Sequence, residues 1–264
     1  MAPPENSSGA LRMQLVSILT PTRNRERFLR NLECMVRLQT YANVEWIIYD
    51  DSPGPSAHFS SLSGAKVRYI HSAAAVSIGE KRNRMAEIAK GEIIAHFDDD
   101  DYYAPDYLRT MVERICQGHD LVKFSRWFLY SGLYRMLGYW DCLRITGLHY
   151  VWSNRPPSVA TFGPRDSENL RNNYLGYGFS YVYRRKVWEA VRFPDLDWNE
   201  DGLFAANVNS RFRLHHFPDA SGLCLHILHK GNTSRCFPQY VLPEFLTDRL
   251  FGAACRDAVR ASWE

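Results

Sequence analysis

Four consecutive carboxylates follow the apolar run "EIIAHF" and are the side chains of this sequence best suited to chemistry: Asp98, Asp99, Asp100 and Asp101. The apolar run predicts a buried strand, and open α/β sheets bind ligands beyond the carboxyl ends of their strands. Four adjacent negative charges repel one another, and a hard divalent cation such as Mg²⁺ or Mn²⁺ relieves that repulsion because it prefers oxygen ligands. The run therefore predicts a cation site; the alternative is a solvated acidic turn that caps the following helix.

A second acidic pair, Asp50 and Asp51, lies at the end of another apolar run, "VEWIIYD". If that run is a neighbouring strand, the pair lies on the same rim of the sheet as the four aspartates. A carboxylate there can accept hydrogen bonds from the imide N–H of a uracil or from ribose hydroxyls. Taken alone, "DDSPGP" is typical of an ordinary turn. The pair therefore indicates a binding site only if it shares the rim with the four aspartates.

The elements that must position these residues follow a strand, helix, strand order. Residues 15–20 form a β-branched apolar run, Asn24 can cap a helix that continues to about residue 39, and residues 44–50 form the next run. This βαβ unit implies a parallel sheet with right-handed crossovers. The pattern then repeats, with strands at residues 66–70 and 92–97, a helix at 77–90, and a helix that begins with Pro105 as its first residue.

The second half is less regular and predicts a mixed extension of the sheet. Aromatic-rich strands are expected near residues 121–130 and 179–185, and two more in "RLHHF" and "LCLHIL". Residues 131–175 lack periodicity, which favours loops that line a site. Residues 240–263 carry apolar side chains at helical spacing and predict one terminal amphipathic helix.

Composition limits the class of protein. A chain of 264 residues with 45% hydrophobic content can bury one large core, and a net charge of +3 provides no strong field for nucleic acid. The six cysteines form no CxxC pair, which favours reduced thiols. We find neither a signal-peptide h-region nor the roughly 20 apolar residues of a spanning helix, so a cytoplasmic protein is expected.

Four blocks in order, "VSILTPTRNRERFLRNL", "EWIIYDDSP", "GEKRN" and "AKGEIIAHFDDDDYYAPDYL", resemble the family 2 glycosyltransferases over about residues 16–108. The resemblance implies the GT-A fold, a Rossmann-like, doubly wound and mostly parallel α/β sheet. It implies an inverting enzyme that moves a sugar from a nucleotide-sugar, with UDP favoured, to a hydroxyl of a glycan or lipid-linked acceptor. Mn²⁺ or Mg²⁺ would assist the transfer.

The resemblance also implies a nucleotide-binding set: Pro21, Thr22, Arg23, Asp50, Asp51, Lys81, Arg82, Asp98 and Asp99. Asp51 or Asp50 would meet the base, Asp99 the ribose, and the two basic residues of "GEKRN" the nucleotide or its diphosphate. Arg23 stands where many members carry an aromatic residue; arginine can stack on a base or pair with phosphate.

The implied metal ligands are Asp100, Asp101 and His229, with His226 the weaker histidine candidate. The register within the four aspartates stays open. "LDWNEDGLF" resembles the segment that supplies the catalytic base, for which Asp201 is the choice and Glu200 the fallback. Without the resemblance, such a pair is more typical of helix-dipole partners.

"LGYGFSYVYRRKVWE" resembles the segment on the acceptor and donor-sugar side, where Gly176 and Gly178 would allow close approach and Tyr177 would stack on a sugar. The alternative is a β-bulge.

The expected organisation is a flexible N-terminus (1–13), one GT-A domain (14–239) with a nucleotide-binding half (14–118) and an acceptor-binding half (119–239), and a C-terminal helix (240–264). We expect a monomer or homodimer without nucleic-acid partners, and peripheral membrane contact through that helix is an option. Two other classes remain: a sugar-nucleotide nucleotidyltransferase, which "LTPTRNRERF" disfavours because it has no glycine, and an inactive nucleotide-sugar or glycan-binding module.

Overall fold

A computed structural model describes residues 13–170, 172–232 and 234–263, so the predicted N-terminal segment lies outside the described residues except for Met13. The first half alternates strands and helices, as the apolar runs predict. Its strands are β1 Val16–Thr22, β2 Val44–Asp50, β3 Val67–His71, β4 Ile93–His96 and β5 Tyr102–Tyr103. Its helices are α1 Glu26–Leu38, α2 Ala57–Leu62, α3 Ile78–Ile88 and α4 Tyr107–Cys116.

The second half contains more strands than its sequence pattern predicts. They are β6 Leu121–Ser131, β7 Met136–Asp141, β8 Gly147–Val151, β9 Ser158–Phe162, β10 Val182–Arg184, β11 Leu214–Pro218, β12 Cys224–Leu228 and β13 Tyr240–Leu242. The helices are α5 Pro164–Leu170, α6 Arg185–Ala190, α7 Glu200–Asn209, α8 Phe245–Phe251 and α9 Cys255–Ala261, with 3-10 turns at Asn173–Leu175 and Gly178–Ser180.

Among the described residues, eleven strands form one mixed sheet, with the main order β13-β7-β6-β10-β4-β1-β2-β3. β1 pairs in parallel with both β2 and β4, while β10 runs antiparallel to β4 and β6 and so joins the two halves. The register sets Thr22 opposite Asp50 and Leu19 opposite His96. The residues that follow β1, β2 and β4 therefore share one rim, and the predicted α/β class with a mixed extension is confirmed.

Apolar side chains from alternate strand positions form two clusters. Val16 and Ile18 of β1 belong to the cluster that contains α1 and α4, whereas Leu19 belongs to the cluster that contains α3, α6 and α7. Leu29 and Leu32 of α1 are buried three residues apart, which is helical spacing. Each fully buried side chain of this size stabilises the fold by about 1.5–3 kcal/mol. These apolar contacts hold the helices against the sheet, and the rim of the sheet stays available for a binding site.

Two helix starts differ from the prediction. Asn24 does not cap α1: its φ is 56°, a left-handed conformation that asparagine tolerates, and Arg25 holds the cap position without a side-chain cap bond. α4 begins at Tyr107 after Asp106, so Pro105 precedes the helix and is not its first residue.

Three segments of the second half also differ. Residues 131–175, predicted as loops, contain β7, the β8–β9 hairpin and α5. Residues 179–185 are a 3-10 turn followed by a short strand. Residues 240–263 are a strand and two short helices, and Gly252, with φ 71°, ends α8 in place of a continuous helix. In the part of the chain that the structure describes, no helix combines the length and apolarity needed to cross a bilayer.

Candidate active site

Asp99 lies just after β4 and is almost fully buried. Its Oδ2 accepts a hydrogen bond from Thr22 Oγ1 at 2.6 Å, and its Oδ1 lies 3.0 Å from Arg25 Nη1. Burial raises the pKa of Asp99 to about 7, although the Arg25 guanidinium opposes that shift. This carboxylate is therefore joined to the end of β1, as a shared rim requires.

Asp100 collects three donors on one oxygen. Its Oδ2 lies 2.8 Å from Arg25 Nη1, 3.0 Å from His229 Nε2 and 3.2 Å from Asn232 Nδ2. Burial opposes its ionisation, but Arg25 and His229 outweigh that effect and hold its pKa below the ordinary value. Phe28 stacks on His229 with 4.6 Å between ring centroids. The structure thus brings together the predicted ligands Asp100 and His229.

Asp101 faces different partners. It is 1% exposed, its Oδ1 accepts the backbone N–H of Ile227 at 2.8 Å, and both oxygens lie 3.0 Å from His226 Nδ1. Burial raises its pKa to about 6 in spite of His226. The His226 ring in turn stacks on Phe179. Asp101 is therefore tied to β12 and is not part of the group around Arg25.

A cavity of about 420 Å³ lies between β1, α1 and the turn after β2. Its lining includes Thr22, Arg25, Asp50 and Ser52. Asp50 accepts hydrogen bonds from the backbone N–H of Ser52 at 2.9 Å and from the Tyr69 hydroxyl at 2.6 Å. Of the predicted base-binding pair, Asp50 is the carboxylate at the cavity.

Asp51 is turned toward Lys81 instead. The Lys81 ammonium lies 2.5 Å from Asp51 Oδ1 and 3.4 Å from the carbonyl of Thr22, and Asp51 is 1% exposed. Arg23, on the exposed side, reaches Asp51 only at 4.0 Å, while Pro21 is buried within β1. Lys81, predicted to reach the donor, is thus paired with a protein carboxylate.

Arg82 is also engaged inside the protein and is 2% exposed. Its guanidinium contacts His96 Nδ1 at 2.8 Å, Asp98 Oδ1 at 3.3 Å and Glu200 Oε1 at 3.4 Å. Burial lowers the pKa of His96 well below its ordinary value, and burial raises that of Glu200 to about 7 against the attraction of Arg82. Arg82 therefore bridges the acidic rim after β4 to the start of α7.

Asp201, next to Glu200, is only partly buried. Its Oδ2 accepts the N–H of Gly178 and its Oδ1 the N–H of Gly202, both at 2.6 Å. A Cβ at Gly178 would lie 3.0 Å from the Cβ of Asp201, so a larger residue there would press on this side chain. The backbone thus fixes the orientation of the carboxylate.

Tyr177 adopts the left-handed conformation, with φ 66°, between Gly176 and Gly178. Its ring packs on Trp127 and Trp140, with centroids 5.1 and 4.8 Å away, and its hydroxyl donates to the carbonyl of Arg235. The ring is part of an aromatic cluster, and the predicted β-bulge alternative does not describe this turn.

Sequence reasoning missed Arg25. The signal for Arg25 was the second basic residue of "TPTRNR", next to a strand whose end must face the acidic run. Across residues 13–170, 172–232 and 234–263, no three His, Cys, Asp or Glu side chains come together as a ready-made metal site. The guanidinium of Arg25 lies between Asp99 and Asp100 instead.

An α/β sheet with carboxylates at its rim is the arrangement that the sequence resemblance implied, and comparison with known proteins agrees. A family model described as Glycosyl transferase family 2 matches residues 17–187. The chain therefore belongs to glycosyl transferase family 2.

Individual proteins share a smaller part of their sequence with this chain. The chain is 33% identical over 212 residues to the putative glycosyltransferase EpsH of Bacillus subtilis (strain 168), a match that covers 76% of this chain and 56% of EpsH. Among solved structures, S. aureus TarS 1–349 in complex with UDP-GlcNAc superposes with a TM-score of 0.61 at 17% identity, over 82% of this chain and 59% of TarS. The mannosyltransferase PcManGT of Pyrobaculum calidifontis, in complex with GDP-Man and Mn²⁺, gives 0.55 at 15%, over 80% and 56%. The structural matches confirm the GT-A fold.

Proposed function

We propose that this chain transfers a sugar from a UDP-sugar donor to a hydroxyl of a glycan or lipid-linked acceptor, with inversion at the anomeric carbon. The observation that carries the proposal is the bridge made by Arg82, whose guanidinium contacts both Asp98 and Glu200. It brings the carboxylates of the β4 rim and those at the start of α7 into one site. A group-transfer enzyme needs both: one side to hold the leaving diphosphate and the other to accept a proton.

The donor nucleotide is assigned to the cavity beside Asp50, which Thr22 and Arg25 also line and behind which Asp99 contacts both of them. Asp50 offers acceptor oxygens that suit an imide N–H or a hydroxyl. Relatives support a nucleotide-sugar, since TarS and PcManGT are solved with UDP-GlcNAc and GDP-Man. We assign Lys81 and Arg82 to charge compensation of Asp51, Asp98 and Glu200, because their cationic groups already face those carboxylates.

The residues present fit a divalent cation. Asp100 and His229 converge within 3.0 Å, carboxylate and imidazole are donors that Mn²⁺ accepts, and a guanidinium already lies against Asp99 and Asp100 as a stand-in cation. Asp100 and His229 are the proposed ligands, and Asp101 is assigned to positioning β12 through His226. When bound, Mn²⁺ or Mg²⁺ would neutralise charge on the departing diphosphate.

Asp201 is the proposed general base. It is the more accessible of the two carboxylates at the start of α7, and two backbone N–H groups orient it while leaving lone pairs free to take the acceptor proton. Glu200 is buried against Arg82 and is less able to meet an acceptor. A single in-line displacement with Asp201 opposite the leaving group inverts the configuration.

The test is a donor screen on the purified chain with UDP-, GDP- and dTDP-sugars, in Mn²⁺ and in EDTA. We expect metal-dependent release of UDP from one UDP-sugar and, with a glycan acceptor, a product of inverted anomeric configuration by NMR. Pyrophosphate release from UTP and a sugar 1-phosphate would instead identify a nucleotidyltransferase. Binding without turnover of any donor would favour an inactive module.

A further inference from the structure

Arg25 follows β1 and places a positive charge inside the acidic rim. Its Nη1 lies 3.0 Å from Asp99 Oδ1 and 2.8 Å from Asp100 Oδ2, and its Nη2 donates to the carbonyl of Gly231 at 3.1 Å. The side chain is 30% exposed, so it can leave this position without opening the core. These contacts join the loop after β1 to the loop after β12.

A second set of contacts, around His229, fixes which ring nitrogen carries the proton. The backbone N–H of Gly231 donates to His229 Nδ1 at 3.1 Å. A neutral imidazole carries one N–H, so the proton then resides on Nε2, which lies 3.0 Å from Asp100 Oδ2. A protonated nitrogen cannot bind a metal ion. Arg25 and His229 therefore satisfy Asp100 in a way that excludes a cation.

We infer that Arg25 is an internal cation that competes with the divalent ion for Asp99 and Asp100, and that its displacement couples ion binding to diphosphate binding. The inference rests on the proposed function. For the ion to bind, Arg25 must leave, and the imidazole proton must move from Nε2 to Nδ1. That proton transfer also breaks the contact from the Gly231 N–H.

The displaced guanidinium has a new partner within reach. Arg25 lines the 420 Å³ cavity assigned to the nucleotide. A diphosphate there offers oxygens that match the guanidinium fork. The diphosphate thus stabilises the arrangement in which Arg25 has left the carboxylates. By linkage, each of the two ligands then tightens the binding of the other by the same factor.

The experiment is calorimetric titration of Mn²⁺ into the folded chain, first alone and then with saturating UDP. Arg25→Gln removes the competing charge and should bind Mn²⁺ alone about fivefold or more tightly than the wild type. UDP should then improve Mn²⁺ affinity less in Arg25→Gln than in the wild type. Arg25→Lys, which keeps the charge but has no second nitrogen to donate to the carbonyl of Gly231, should fall between the two.

The matched control is Arg30→Gln, which removes the same charge from α1. Arg30 pairs with Glu26 on the helix surface, so its loss should leave Mn²⁺ affinity unchanged. Adding Asp100→Asn to Arg25→Gln should abolish the gain and thereby place the ion at the rim.

Unchanged or weaker Mn²⁺ binding in both Arg25 variants would overturn the inference, as would the absence of Mn²⁺ binding in the wild type and both variants. A failure of the proposed function looks different: neither UDP nor any sugar nucleotide would then bind, whatever residue stands at position 25. Metal-dependent UDP binding with no effect of Arg25→Gln would defeat the inference alone.

Discussion

The substitution Asp201→Asn tests whether this carboxylate has a catalytic role or only a structural one. If Asp201 is the general base, as proposed, its removal should lower kcat by about 10²- to 10⁴-fold. This is roughly 3–5.5 kcal/mol in the activation barrier at about 1.36 kcal/mol per tenfold. Because the side chain accepts N–H groups on both oxygens, an amide must turn its NH₂ toward one of those donors. Leaving one backbone donor unpaired costs about 1–3 kcal/mol of stability.

The assay is steady-state transfer with the donor found in the screen, together with urea unfolding and UDP titration. Asp219→Asn is the matched control, since Asp219 accepts backbone N–H groups from Ser221, Gly222 and Cys224 and lies outside the proposed site. It should lose a similar or larger amount of stability and keep its kcat. If Asp201→Asn retains kcat within about tenfold of the wild type, the base assignment is wrong.

Two further predictions concern the scaffold. In Gly79→Ala the new Cβ would lie 1.9 Å from the carbonyl oxygen of Pro194, so unfolding in urea should show a loss of about 3 kcal/mol, whereas Gly54→Ala, with open space around it, should be neutral. Burial lowers the pKa of Lys123 from 10.5 to about 8. The folded state then releases this proton at lower pH than the unfolded state, so stability rises with pH. Relative to Lys123→Met, the wild type should gain about 2 kcal/mol of unfolding free energy between pH 7 and 9.5, and a constant difference would contradict this.

The positions of β1, β2 and β4 could be predicted because their side chains are almost all buried on both faces of the sheet and form continuous apolar runs. β2 has the predicted bounds, Val44–Asp50. Residues 131–175 could not be predicted, since β7 and the β8–β9 hairpin depend on cross-strand pairing rather than local periodicity. Within 240–263, β13 likewise depends on its pairing with β7, and Gly252 in a left-handed conformation divides the predicted helix.

Within the candidate site, sequence could identify which residues follow the strands but not which way their side chains turn. Asp100 and Asp101 are neighbours in an unbroken run, yet one faces Arg25 and His229 while the other faces His226. Lys81 and Arg82 have the charge expected of diphosphate ligands, but both form ion pairs with carboxylates of the protein. Such partner choices depend on tertiary contacts that a motif does not contain.

Calorimetric titration of UDP into the purified chain, with Mn²⁺ and again with EDTA, tests the central claim most directly, with GDP as the control nucleotide. The account predicts UDP binding that is lost with the chelator and is stronger than that of GDP. Failure of both nucleotides to bind under either condition would contradict the claim that this rim is a nucleotide-sugar site.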